Sequence, residues 1–239
     1  MEKVSVIIVA AGMSQRLGGR KKKQFIEVAG RPLALWAARR FAVLGKALAE
    51  TVLVVPPEDL TMVTEDYGPT LKWAGVKQVV AGGARRTESV AAGLQALKKP
   101  SDLVAIHDGA RPLVRGENIL AAVEAAKRSG AAILAVRVKD TLKRANDDDI
   151  VTATVDRTGL WLTLTPQVFE RELLERAFAK ADLEDRSITD DAQLVERIGG
   201  HVTLVPGAYD NIKVTTAEDL RVVKACLEAE ALAEETPEA

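Results

Sequence analysis

The chain predicts an α/β fold: a Rossmann-like open, mostly parallel sheet flanked by helices, with a protruding β-hairpin arm. Three observations predict it. Apolar runs rich in β-branched residues, VSVIIV at 4–9 and LVAIH at 103–107, lack the alternation of half-exposed strands and read as strands buried on both faces. Segments with helical periodicity separate such runs, so strands and helices alternate, the pattern of right-handed crossovers between parallel strands. One stretch, residues 137–158, breaks the rhythm with two extended runs around a polar turn.

The elements follow in order. The strand at 4–9 ends in Ala10-Ala11-Gly12 and a polar stretch to Lys23. Residues 32–44 read as a helix, with Pro32 near its first turn and Gly45 at its stop. A strand at 51–55, a short helix from Glu58 and a strand at 76–80 follow. Gly82-Gly83 then leads into a helix over 86–97. After the strand at 103–107, Asp108-Gly109-Ala110-Arg111-Pro112 forms a turn. Residues 118–128 are helical with Gly130 as the stop, and 131–138 is a strand. Extended runs at 140–145 and 150–156 flank Asn146-Asp147-Asp148-Asp149 as the arm, alternatively an antiparallel extension of the main sheet. A lone two-stranded ribbon is marginal in water, and a second copy of the chain is the simplest cover. Residues 167–180 are predicted helical. Thr189 is placed as the cap of a helix over 190–198, and Thr215 with Glu218 as a capping box before a helix from Ala217, with a strand at 202–205 between them.

The chain's 239 residues suit a single domain built from 1–136 and 159–233, the arm inserted at 137–158 and a flexible tail at 234–239. With 47% hydrophobic but only 4% aromatic residues, the core must be Val, Leu, Ile and Ala. A formal net charge of -1 argues against wholesale nucleic-acid binding, which needs a basic face. Cys226 is the single cysteine, which excludes an intrachain disulfide or a cysteine zinc cluster; it is expected as a small buried apolar residue. No apolar run reaches the ~18 residues of a membrane span, and the first strand leaves no room for a signal peptide. A cytoplasmic location is the expectation.

Chemistry concentrates at the predicted carboxyl ends of the strands, where open α/β sheets bind ligands. Small residues at Ala10, Ala11 and Gly12 allow close approach of the backbone, and Arg16, Arg20, Lys21, Lys22 and Lys23 make the next stretch strongly basic. The segment lacks the GK[ST] of a Walker loop and the GxGxxG of a dinucleotide site. It reads as a polyphosphate clamp, alternatively as a solvated basic loop. Asp108, at the end of a buried strand, stands where a Mg²⁺ ligand would face phosphates, or it caps its turn. Gly83 and Ser89 suit either contact with a base or sugar, or turn and cap chemistry. His107 reads as a satisfied structural histidine, and His201 as a turn residue.

The segments AAG…R (10–16), KQF (23–25), GG…R…SV (82–90), HDGARP (107–112), KDTLKR (139–144), VDRTGLW…TPQ (155–167), ITDDAQ (188–193) and DNIKVTTAEDL (210–220) resemble, in order and spacing, the 2-C-methyl-D-erythritol 4-phosphate cytidylyltransferase family over nearly the whole chain. The resemblance implies transfer of a cytidylyl group from CTP to 2-C-methyl-D-erythritol 4-phosphate with Mg²⁺, by a homodimer whose arm completes the neighbour's site. It implies that Arg16 and Lys23 hold the CTP phosphates, and that Asp108 is the metal ligand. Ala10, Ala11, Gly12, Gly83, Ser89 and Gly109 are implied on the nucleotide side. Arg157 and Lys213 are implied to orient the acceptor phosphate, with Thr141, Thr165, Thr189 and Asp190 lining its pocket. Ser14, Lys22 and Ala84 depart from the family's frequent Gly, Pro and acidic residue. The alternatives are a cytidylyltransferase for another polyol phosphate, such as ribitol 5-phosphate, and a nucleotide-binding module without turnover.

Overall fold

A computed structural model describes residues 2–12 and 22–235, apart from the side chains of Lys23, Glu234 and Glu235. Seven strands form the main sheet: β1 (Val4–Val9), β4 (Leu48–Val55), β5 (Gln78–Ala81), β6 (Leu103–Asp108), β7 (Ala131–Arg137), β10 (Trp161–Glu170) and β11 (Thr203–Pro206). Their order is β11-β7-β10-β6-β1-β4-β5. All pairings are parallel except those of β10, which runs antiparallel to both β6 and β7. Two small ribbons stand apart from this sheet: β2 (Glu27–Val28) with β3 (Arg31–Pro32), and β8 (Leu142–Ala145) with β9 (Val151–Val155).

The unbroken apolar run of β1 serves both faces of the sheet. Val4, Val6 and Ile8 meet α1 (Leu33–Arg39), α2 (Leu60–Asp66), α3 (Gly68–Trp73) and α5 (Gly116–Ser129). Ile7 turns to the other side, toward α4 (Arg86–Gln95), α6 (Arg171–Lys180) and α7 (Ala192–Arg197). A third cluster, around Trp36 and Leu113, docks α8 (Ala217–Glu235) through Val223 and Leu227. Gly130 ends α5 with φ 80°, its N–H donating to Ala126 O at 2.7 Å, a left-handed C-terminal stop.

Five expectations are corrected. Residues 161–170 are strand β10, and only Arg171–Lys180 is helical. Thr165-Pro166 reads as the start of a helix, but Leu164 to Phe169 is buried between β6 and β7, and Pro166 falls where the ladder to β7 shifts register, so no donor is missed there. The segment before α7 is capped by Asp190, whose Oδ1 accepts from Gln193 N at 3.0 Å, rather than by Thr189. The box before α8 lies one residue later than expected: Asp219 N donates to Thr216 Oγ1 (3.2 Å) and Thr216 N to Asp219 Oδ2 (2.8 Å), while Glu218 pairs with Arg221. Cys226 is exposed, because it lies beside, not on, the helical stripe of Val223 and Leu227. Helix α8 continues through Glu235, so it takes in the start of the expected tail; residues 236–239 lie outside the described part.

Candidate active site

The carboxyl ends of β1, β5 and β6 place three loops side by side. After β1, Ala10 N donates to Val54 O at 2.8 Å. Buried Gln24 then reaches under the turn, its Nε2 donating to Ala10 O (2.7 Å) and Gly12 O (3.0 Å). Beyond β5, a Cβ on Gly82 would stand 2.6 Å from Ala11 Cβ and 2.7 Å from Ser89 Oγ, so glycine lets the two loops touch. Ser89 Oγ accepts from Gly83 N (3.2 Å) and donates to Arg85 O (2.9 Å). Glu88 Oε2 accepts from Ala84 N at 2.8 Å, so a carboxylate next to Ala84 is committed to holding this loop. Between the loops lies a cavity of about 200 Å³.

Asp108, the last residue of β6, lines that cavity and is pinned from behind. Its N–H donates to Thr165 Oγ1 at 3.1 Å. Thr165 Oγ1 is 2.8 Å from His107 Nδ1, and His107 Nε2 is 3.0 Å from Arg111 O. A carbonyl only accepts, so the imidazole proton sits on Nε2, and Nδ1 accepts a hydrogen bond from the Thr165 hydroxyl. Burial pushes the His107 pKa down to about 4, against the hydrogen bond to Arg111, so the ring is neutral at physiological pH.

Three cations converge on the Asp108 carboxylate. Arg86 Nε lies 3.2 Å from Oδ1, Lys213 Nζ 2.8 Å from Oδ2 and Arg111 Nε 3.6 Å from Oδ2. Burial works to raise the Asp108 pKa, but Arg86, then Lys213 and Arg111, outweigh it and hold the carboxyl far below its usual range. Arg86 also bonds Asp191, Nη1 to Oδ2 at 2.7 Å. Burial works against the Arg86 charge, and Asp191 and Asp108 overcome it, holding the guanidinium above its ordinary pKa. The segment carrying Lys213 is laced to the same corner: Arg111 Nη1 donates to Asn211 O (2.7 Å), Asn211 Nδ2 to Thr165 O (2.8 Å) and Val214 N to Ala110 O (2.8 Å).

The structure therefore gathers Ala10, Ala11, Gly12, Gly83, Ser89, Asp108 and Lys213 around one cavity. Gly109 sits behind it, where a Cβ would meet Ala10 Cβ at 3.1 Å. Thr165 is buried with its hydroxyl engaged on Asp108 and His107, and Asp190 is held by Gln167 Nε2 at 3.0 Å. Thr141, Arg157 and Thr189 are exposed and line no part of this cavity; Arg157 Nη1 donates to Lys139 O. Arg16, Arg20, Lys21 and Ser14 lie outside the described residues, as does the side chain of Lys23. Lys22 pairs with Glu58 and with Asp59 (2.8 Å). Sequence reasoning missed Arg86, Asp191, Gln24, Arg111 and Asn211. Two signals were present: Arg86 opens the helix after Gly82-Gly83, and Asp191 is the second acid of ITDDAQ.

No group of three or more His, Cys, Asp or Glu gathers as a metal cage among the described residues. Asp108 is the one carboxylate among the residues lining the cavity. A single ionised carboxylate suits Mg²⁺, which commonly takes its other ligands from phosphates and water. Among the described residues no helix is long and apolar enough to cross a membrane.

The chain resembles known proteins in both sequence and fold. A cytidylyltransferase from Caldanaerobacter subterraneus subsp. tengcongensis acting on 2-C-methyl-D-erythritol 4-phosphate is 42% identical over 221 residues, 92% of this chain and 97% of that protein. Its counterpart from Alkaliphilus metalliredigens is 43% identical over 223 residues, 91% and 90% of the two chains. The crystal structure of 4-diphosphocytidyl-2C-methyl-D-erythritol synthase from Anaerococcus prevotii superposes with a TM-score of 0.78 at 32% identity, covering 95% of this chain and 99% of that one. The Thermus thermophilus cytidylyltransferase gives 0.73 at 33% identity, covering 95% and 98%. The IspD family profile matches residues 4–229, and the chain belongs to that family, the 2-C-methyl-D-erythritol 4-phosphate cytidylyltransferases.

Proposed function

We propose that the cavity between the loops after β1 and β5 holds CTP, and that Lys213 brings the acceptor phosphate to it beside Asp108. The activity is transfer of a cytidylyl group from CTP to 2-C-methyl-D-erythritol 4-phosphate, forming 4-diphosphocytidyl-2-C-methyl-D-erythritol and pyrophosphate. A phosphate oxygen of the acceptor attacks the α-phosphorus of CTP, and the bond from that phosphorus to the oxygen bridging to the β-phosphate breaks. The nucleophile is already anionic, so the reaction needs alignment and charge cancellation more than a strong base.

The observation that carries this reading is the Asp108 carboxylate, kept ionised at the cavity wall and touched by Lys213 at 2.8 Å. Asp108 would hold Mg²⁺, which neutralises phosphate charge when bound. Ala10, Ala11, Gly12, Gly83 and Ser89 contact the nucleotide, with Gly109 supporting Ala10 from behind. Arg16 and Lys23 meet the triphosphate. Arg157 and Lys213 orient the acceptor phosphate, and Thr141, Thr165, Thr189 and Asp190 shape its pocket. Because Thr141, Thr189 and Arg157 are exposed in the single chain, the acceptor site closes in a homodimer through the arm. Exposed Ile150 and Val151 on the β8–β9 ribbon support that partner. The enzyme works in the cytoplasm.

Pyrophosphate release is measured from each of the four common nucleoside triphosphates, with methylerythritol phosphate or ribitol 5-phosphate as acceptor, with and without Mg²⁺. Release is expected with CTP, methylerythritol phosphate and Mg²⁺ together. Faster turnover of ribitol 5-phosphate would reassign the acceptor, and CTP binding without any release would leave a binding module.

A further inference from the structure

We infer that Arg86 is a positioning residue of this enzyme: seated on buried Asp191, it fixes the Asp108 carboxylate at the wall of the nucleotide cavity. The inference deepens the function proposed above and rests on it. Arg86 opens α4, and its guanidinium spans two carboxylates from different elements, Asp108 at the end of β6 (Nε to Oδ1, 3.2 Å) and Asp191 just before α7 (Nη1 to Oδ2, 2.7 Å). One planar fork thus ties three parts of the sheet edge, which a lysine, a single point charge, does not do.

Asp191 explains why the fork stays in place. Its side chain is fully buried and does not line the cavity, so it meets no ligand directly. Among the described residues Arg86 is the one cation that touches it. A buried carboxylate needs such a partner, so Asp191 anchors Arg86, and the anchored guanidinium presents its Nε to Asp108 Oδ1. The backbone next to Asp191 is fixed as well, since Gln167 Oε1 accepts from the N–H groups of Asp191 and Ala192 at 3.1 Å each. The second oxygen of Asp108 is left to Lys213 and Arg111. The division is therefore by oxygen atom: Oδ1 is held from the buried side, and Oδ2 faces the cation expected to serve the acceptor.

The test uses the full chain with Arg86→Lys and Asp191→Asn. CTP affinity is measured by calorimetry with Mg²⁺ and no acceptor, alongside kcat and the acceptor KM. Outer-shell partners of a ligating group typically cost about 10- to 100-fold when replaced. Arg86→Lys is expected to weaken CTP binding about tenfold and to lower kcat by at least about tenfold, leaving the acceptor KM within about threefold. Asp191→Asn, which touches no substrate, should move the same quantities in the same direction by a smaller factor. Wild-type CTP affinity and kcat in Arg86→Lys overturn the inference. So does an impaired Arg86→Lys beside an Asp191→Asn that matches wild type, because Arg86 would then act on the nucleotide without its anchor. If Arg86→Lys does not fold, Asp191→Asn decides alone, and unchanged CTP affinity in it overturns the inference. A wild-type protein that releases no pyrophosphate strikes at the proposed function instead, and the CTP affinities of the variants still decide the role of Arg86.

Discussion

The cavity between the loops after β1 and β5 and the β8–β9 arm are built on opposite terms. At the cavity the Asp108 carboxylate is met within one chain: Asp108 meets Arg86, Lys213 and Arg111, Arg86 meets Asp191, and the backbone behind them is pinned by Thr165 and Gln167. On the arm Ile150 and Val151 are 61% and 57% exposed, and among the described residues the two strands of the ribbon pair only with each other. On the function proposed above, a site that aligns two anions is preorganised on the side assigned to CTP and open on the side assigned to the acceptor and a second chain. The difference places the dense network of ion pairs and hydrogen bonds at the carboxyl edge of the sheet and the exposed apolar side chains on the arm beyond β7 and β10.

The comparison can be broken at three points. The largest effect is expected for Lys213→Ala. Its kcat/KM for the acceptor should fall by about 10²- to 10³-fold, while CTP affinity changes less than about threefold, since Arg86 and Arg111 remain on Asp108. Steady-state kinetics with each substrate varied in turn checks this, and equal losses on both sides would erase the division of roles.

The next effect lies behind the cavity. The folded-state pKa of His107 is depressed to about 4, below the ordinary 6.5, so the unfolded chain binds the proton more readily. The stability this contributes is fully present above pH 6.5 and is lost as pH falls through 4. Integrated over that window it amounts to about 3 kcal/mol. Urea unfolding at pH 7 and pH 4 should show a larger acid loss for wild type than for His107→Gln, and identical losses would mean that the neutral imidazole is not what acid disrupts.

The smallest effect is expected on the arm. Replacing both Ile150 and Val151 by Lys should turn a sedimenting dimer into a monomer, yet alter the stability of the separated chain by less than about 0.5 kcal/mol per site, as for other surface positions. A variant that stays dimeric, or a wild type that sediments as a monomer, removes the arm from assembly.

Most of the parallel sheet was legible because its strands are apolar on both faces and its helices carry clear stops such as Gly130. The cavity was legible where small residues and Asp108 sit at strand ends. What escaped depended on tertiary context. Thr165-Pro166-Gln167 has the local chemistry of a helix start, and only its burial between β6 and β7 makes it a strand. Arg86 and Asp191 are 105 residues apart in sequence, and no local pattern announces that they share a hydrogen bond. Gln24 was seen in KQF, but its amide acts on carbonyls twelve and fourteen residues earlier, which spacing alone does not show.

The antiparallel strand β10 has one further consequence. Strands β7 and β10 close on each other up to Arg137 and Trp161 before the chain leaves the sheet for the ribbon. The ribbon therefore hangs from an already completed hairpin, and lengthening or trimming it shifts no pairing in the layer beneath. Changes of length at that tip therefore leave the register of Asp108 against β1 untouched.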